Sequence, residues 1–400
     1  MTLVNNATPE VFGKRILGAV DALPDAGLFG QKAFNEADHF LRTMADVPEL
    51  KTADLLRAET VLRNIIGRFG AYAAPAVERG PQGRPLPPLG AQFKFLAFTD
   101  CVGEDPETAS RIAIEEGSAL AHLGMPGGQL HWQQTEPLNP AHIRGSVTSA
   151  YLAYLQKVQA DPEQQTEQLV ILANAAPRDP RNPDAKGCPF VVAVLEGNVF
   201  YVGTLNDGGT ELQGIKPYVK ELWHTTLGVE ETGVEGGKAP KSVFRSKHLL
   251  PLFRELTKGN EALLDRKLCI EQSVEPLQGI QIDSRDSFGN LKTTASFHQL
   301  LKDHGISIGT TIDLRVGNKT VVARIAKSHG DGLPSEVLVV PGSSPYDASD
   351  ESNTRADIVV NHGDASQQFL DKKEPFGGRV WAGKEVTILG EYNPMRRFRM

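Results

Sequence analysis

Residues 278–294 read QGIQIDSRDSFGNLKTT. Ile280 and Ile282 alternate with polar neighbours, as in a strand with one buried face. The run then breaks into an acidic turn holding Asp283 and Asp286, followed by Phe288-Gly289-Asn290. Leu291 and Thr293 restart the alternation. The residues support two readings. One is a β-bulge or hairpin turn, with Gly289 where a positive φ is needed. The other is chemical: an aromatic face at Phe288 beside the amide of Asn290 suits a purine, stacked on one and hydrogen-bonded by the other. The carboxylates of the same turn suit an ammonium group.

From this stretch onward the pattern is one of short alternating strands: 311–316, 320–326, 336–340, 357–360 and 385–389. Residues 275–400 therefore predict a small all-β domain, a sandwich or a barrel. Before it, strands alternate with helices. Strands are expected at 93–98, 168–173, 190–195 and 199–202, with a further apolar segment at 130–132, and helices at 143–155 and within 243–259. Residues 91–270 thus predict an α/β layered domain. A strand–turn–helix at 93–124 places Asp100 just past the carboxyl end of a strand, where open α/β sheets bind ligands. The other reading of Asp100 is a turn or cap residue. Residues 1–90 predict a helical extension, with Leu55, Leu62, Ile66 and Phe69 on one packing stripe. It ends in a Pro/Gly linker, VERGPQGRPLPPLG at 77–90, with no regular structure expected there. The fold class is α/β: helical extension, central α/β layer, C-terminal β-barrel or sandwich.

Composition narrows the function. The chain has 400 residues, 40% hydrophobic and 23% charged, with a net charge of −7. That balance fits a globular protein and argues against broad nucleic-acid binding. Three dispersed cysteines give no disulfide framework and no zinc motif, and fit a reducing, cytoplasmic setting. No apolar run reaches the ~18 residues of a membrane span. Ten histidines show no metal-ligand spacing, and His248 is the one worth testing as a site residue. Lys238 lacks the glycine and hydroxyl context of a phosphate loop. Trp132 and Trp223 read as core.

Several segments fall in an order that resembles the S-adenosylmethionine (SAM) hydroxide adenosyltransferases, relatives of the fluorinase and chlorinase. The resemblance covers roughly 93–390. Ile282-Asp283, Phe288-Gly289-Asn290 and Thr293-Thr294 match the family's "ID-x-FGN-x-x-TN", with extra residues before the Phe. Ser352-Asn353, Ile358, Asn361, Gly363 and Ala365 resemble its late motif. Thr99-Asp100 stands at its ribose-binding turn, and Gly203, Asn206 and Gly208 resemble its G-P-D-N-G. The resemblance implies an α/β domain joined to a β-barrel, a homo-oligomer (a trimer), and SAM as substrate with no further cofactor. Methionine would be displaced at C5′ by water, or less favourably by halide.

The resemblance also implies roles. Asp100 holds the ribose, with Asn206 in the same strand-end set. Phe288 and Asn290 hold adenine. Asp283 or Asp286 holds the methionine ammonium, and Ser352-Asn353 its carboxylate side. Departures fall on the chemistry. The family's water-positioning Asp corresponds to Ala176, or Asn174 is the nearest polar residue, and its His corresponds to Arg245. A base of this kind contributes typically ~10²–10⁴-fold. Asn174, Arg178, Arg245 and Ser246 are therefore the candidate catalytic set, and the basic residues Arg178, Arg181, Arg245 and Lys247 form a basin that holds an anion or lowers a water's pKa. A catalytically impaired relative that binds an adenosyl ligand without turnover is the alternative.

Overall fold

The structure, a computed structural model, describes residues 77–89, 91–99, 130–136, 139–161, 167–174, 190–225, 249–350, 352–369 and 382–392. The helical stripe expected in residues 1–75, the helix expected after Asp105, and residues Asp100, Ala176, Arg178, Arg181, Arg245, Ser246, Lys247 and His248 lie outside them. The chain divides into two compact units, Met1–Ala76 with Lys157–Thr166, and Val77–Gln156 with Glu167–Met400. Of the first, only Lys157–Asp161 is described, including the last turn of a long helix. The second carries both sheets and the candidate site.

Fourteen of its strands form two sheets. The first has seven strands: β3 (Gln92–Thr99), β4 (Leu130–Gln134), β5 (Glu167–Asn174), β6 (Phe190–Leu195), β7 (Val199–Thr204), β8 (Val219–Thr225) and β9 (Leu264–Lys267). Their order is β4-β3-β5-β7-β6-β8-β9. The β4-β3-β5-β7 part is parallel and the rest antiparallel. The centre of this sheet is where the sequence is most uniformly apolar. All six residues of β6 and of β7 are buried, as strands covered on both faces require. On one face Phe93, Phe95 and Phe200 surround Phe253 of helix α2 (Leu249–Thr257), with ring centroids 5.0–5.6 Å apart in edge contacts. Helix α1 (Pro140–Ala160) buries Ile143, Val147, Tyr151 and Leu155, one residue per turn at i, i+4 spacing.

The second sheet is a closed seven-stranded barrel, β10-β11-β15-β14-β13-β12-β16. Its strands are β10 (Ile280–Arg285), β11 (Leu291–Ser296), β12 (Thr311–Val316), β13 (Lys319–Ile325), β14 (Val337–Pro345), β15 (Thr354–Val360) and β16 (Glu385–Glu391). Closure through β16 and β10 leaves no open edge. Ile282, Leu291, Ile312, Leu314, Ile358 and Val386 fill the interior. Helix α3 (Phe297–His304) packs its Phe297 and Leu300 into the same core. Ser296 caps it, accepting the Gln299 N–H at 3.1 Å. The architecture is thus α/β with a C-terminal β-barrel.

Residues 77–89 differ from expectation. Strands β1 (Glu78–Arg79) and β2 (Pro85–Leu86) pair antiparallel. Arg79 bonds Glu221 of β8, and Arg84 donates to the Glu261 carbonyl at 2.6 Å. The ribbon is two residues long and held by side chains to distant residues, so local periodicity gave no sign of it. Among the described residues no helix is long and apolar enough to cross a membrane.

Candidate functional site

The β10–β11 hairpin realises both structural features of the local reading. Its register shifts between Ile282 and Ser284. Its turn is organised by Asp286, whose Oδ1 accepts the N–H groups of Phe288 (2.9 Å) and Asn290 (3.0 Å). Oδ2 accepts the Asn290 side-chain N–H at 2.9 Å. Gly289 has φ +86°, and a Cβ there would run into the Asp364 carboxylate, so any other residue is strained and must displace that side chain.

This hairpin faces α1. The helix starts at Asn139-Pro140, where Asn139 Oδ1 accepts the N–H groups of Ala141 (3.1 Å) and His142 (3.4 Å). A capping Asn followed by proline at the first helical position is a favoured start. One turn on, Gly145 lies against β10: an added Cβ would sit 2.7 Å from Asp283 Cβ and 2.8 Å from its carbonyl oxygen. That close approach lets Arg144 reach the same residue. Its Nε donates to Asp283 Oδ1 at 2.8 Å, and Nη2 stands at the same distance as an ion pair. Arg355 of β15 bonds the other oxygen. All three side chains are buried. Arg144 Nη1 also donates to Gln281 Oε1 at 3.0 Å. The result is a two-arginine clamp on one carboxylate, fastening the helix to the barrel.

Beside the clamp runs a cleft of about 500 Å³. One wall is Leu96 and Phe98 of β3, His131 of β4 and His142 of α1. The other is the barrel hairpin: Ser284, Arg285, Asp286 and Lys292. The volume lies within the range of small-molecule sites. His142 has a fixed state. Its Nδ1 accepts the Glu136 N–H at 3.0 Å. Burial pushes its pKa down to about 4, against the opposing pull of Asp283. At neutral pH the ring is therefore uncharged, with its proton on Nε2. Lys292 Nζ lies 3.4 Å from Asp357 Oδ2 and donates to Ser343 Oγ at 3.3 Å. Burial raises the Asp357 pKa, with Lys292 opposing, and its Oδ1 has no hydrogen-bond partner.

The site residues expected from sequence fall into groups. Asp286 lines the cleft, and Phe288 and Asn290 share its turn. Phe288 is 77% exposed, and Asn290 is buried with its amide bonded to Asp286. Asp283 is two residues before Arg285, but both its oxygens are taken by arginines. That corrects the expectation for it: it holds the fold together and, being buried, presents no oxygen to an ammonium. Ser352 Oγ donates to Asp350 at 2.6 Å, and Asn353 Oδ1 accepts from Ser296 at the same distance. Both are tied into the β14–β15 connection.

Asn174 is the buried last residue of β5, in register with Thr99, the last residue of β3. Asn206 follows β7 and bonds Glu211 through both backbone and side-chain N–H groups. Glu211 is fully buried. Burial lifts its pKa to about 7, against the hydrogen bonds from Asn206 and Thr204. The adjacent parallel strands β3, β5 and β7 thus end on the same side at Thr99, Asn174 and Thr204.

Arg144, Gly145, His142, Arg355 and Glu211 were missed from sequence. Arg144 carried one signal: it falls beside Ile143 and Val147 on the buried stripe of α1, where a charge demands a partner. Its partner is 139 residues away. Among the described residues no group of His, Cys, Asp or Glu is arranged to hold a metal ion.

No family model and no curated protein matches the chain. Among solved structures it is similar to an uncharacterized conserved protein from Thermotoga maritima, at 20% identity over 74% of this chain and 99% of that one, with a TM-score of 0.48. It is also similar to a conserved hypothetical protein from Thermus thermophilus, at 15% identity over 74% of this chain and 100% of that one, with a TM-score of 0.45.

Proposed function

We propose that this protein binds S-adenosylmethionine along the seam between its sheet and its barrel, and displaces methionine at C5′ with water. The observation that supports this reading is the cleft itself. The hairpin bearing the Phe288-Gly289-Asn290 motif forms one of its walls, and the α/β layer forms the other. In this reading Asp100, next after β3, accepts the ribose hydroxyls. Phe288 stacks on adenine, and its exposed face leaves room for a base or for a second copy in a trimer. With Asp283 consumed, the methionine ammonium falls to Asp286. An ionised carboxylate offers about four acceptor positions, and the turn uses three of those on Asp286.

Catalysis rests on holding water in line behind C5′ with methionine as a neutral leaving group. Positioning of this kind supplies several kcal/mol, up to roughly 7–11 kcal/mol in well-oriented systems. Asn174, Arg178, Arg245 and Ser246 would hold the water and lower its pKa. The replacement of the family's Asp and His by Ala176 and Arg245 favours a second reading, an adenosyl-binding protein without turnover. Incubation with SAM, followed by chromatography for adenosine and methionine with and without chloride, separates the two. Release of both products supports hydrolysis, and a chloride-dependent nucleoside product would mean halide transfer. Calorimetric binding without product selects the second reading. Neither binding nor product rejects both.

A further inference from the structure

We propose that the cleft contains an anion subsite, in which Arg285 and His142 grip a carboxylate or phosphate group of the ligand from opposite walls. The proposal deepens the reading above and rests on it only for the carboxylate carrier, SAM. Donors dominate the lining. Arg285 spends only its Nε, on the Asp286 carbonyl at 3.4 Å. Its two terminal amino groups have no hydrogen-bond partner among the described residues, and a guanidinium fork fits a two-oxygen anion. His142 has Nδ1 occupied, so the other edge of the ring can only donate. Its neutrality matters: it contributes a hydrogen bond without a charge that Asp283 would compete for. Ser146, Ser284 and Ser344 add hydroxyls, and Lys292 adds a partly neutralised cation. The one carboxylate in the lining, Asp286, has most of its acceptor capacity turned into its own hairpin. Behind the wall the clamp sets two guanidinium charges against one carboxylate, and Arg285 has Asp364 as its charged neighbour.

The experiment is calorimetric titration of the full chain with three probes: SAM, decarboxylated SAM, which lacks the carboxylate, and 5′-AMP, which carries a phosphate. The wild type is compared with Arg285→Gln, His142→Leu and His142→Gln, with melting temperature as the folding control. SAM is expected to bind at least about ten-fold more tightly than its decarboxylated form, the size of one charge-assisted contact. Arg285→Gln reduces that preference to under about three-fold at unchanged melting temperature, because Arg285 is exposed. His142→Leu reduces it too, while His142→Gln, which keeps an N–H donor, retains more of it. If 5′-AMP binds in an Arg285-dependent way and SAM does not, the subsite stands with phosphate as its ligand and the SAM reading fails. Equal binding of SAM and its decarboxylated form, or wild-type discrimination in Arg285→Gln, overturns the subsite and leaves the SAM reading intact. Binding of none of the three overturns both.

Discussion

Replacing Asp283 by Asn tests the clamp most directly. The change keeps the shape of the side chain and removes its charge. It also exchanges one acceptor oxygen for an N–H₂ that faces a guanidinium. Arg144 and Arg355 would then be two buried cations with no counter-charge between them. Breaking a buried ion pair by removing one partner costs about 3–5 kcal/mol. For a unit this large, about 2 °C of melting temperature accompanies each kcal/mol. The expected fall is therefore roughly 6–10 °C, read by scanning calorimetry at pH 7. The clamp joins α1 to β10, so ligand affinity for the cleft should fall with it. The control is the triple change of Arg144, Asp283 and Arg355 to Met, Leu and Met. Swapping a whole buried ionic cluster for apolar groups is often neutral or stabilising, so this variant should melt above Asp283→Asn. A melting temperature for Asp283→Asn within about 2 °C of wild type would refute the claim that the seam depends on this carboxylate.

Three further outcomes are expected. Gly145→Ala pushes a methyl group into Asp283 and should cost about 1–3 kcal/mol by overpacking, measured by urea unfolding, with weaker ligand binding because the seam is forced apart. His142 should titrate near pH 4 by NMR, with its proton on Nε2 above that. Its folded pKa is depressed, so its share of stability is present above the unfolded value near 6.5 and is lost as pH falls towards 4, and His142→Leu should remove that share of acid sensitivity. Glu211 is the opposite case. Its pKa is raised from 4.5 to about 7, so its contribution is full below 4.5 and lost as pH rises through 7. The melting temperature of wild type minus that of Glu211→Gln should fall across that same interval, and a constant difference would remove the assignment.

The local chemistry of the hairpin is legible in the amino-acid order. Alternation at Ile280, Ile282, Leu291 and Thr293 marks two strands, and Gly289 marks a turn needing positive φ, because both depend on neighbours a few residues apart. The same holds for the buried runs of β5, β6 and β7 and for the body of α1. What Asp283 does is not legible there. Its sequence neighbours suggest a ligand group, and its spatial neighbours make it a structural anchor. Glu211 and Asn206 lie five residues apart, yet the complete burial that raises the Glu211 pKa is a property of the folded chain and not of that local pair.

By itself, then, the sequence determined the central strands β3, β5, β6 and β7, the body of α1, the change from α/β to all-β near residue 278, and the shape of one turn. Each is set by backbone sterics and side-chain periodicity over short stretches of chain. Only the tertiary structure decided which carboxylate is buried in an ion-pair clamp and which lines the cleft. Arg144 and Arg355 reach Asp283 from 139 and 72 residues away. Such a contact exists only once Gly145 has let a helix lie against a barrel strand, and no local pattern records it.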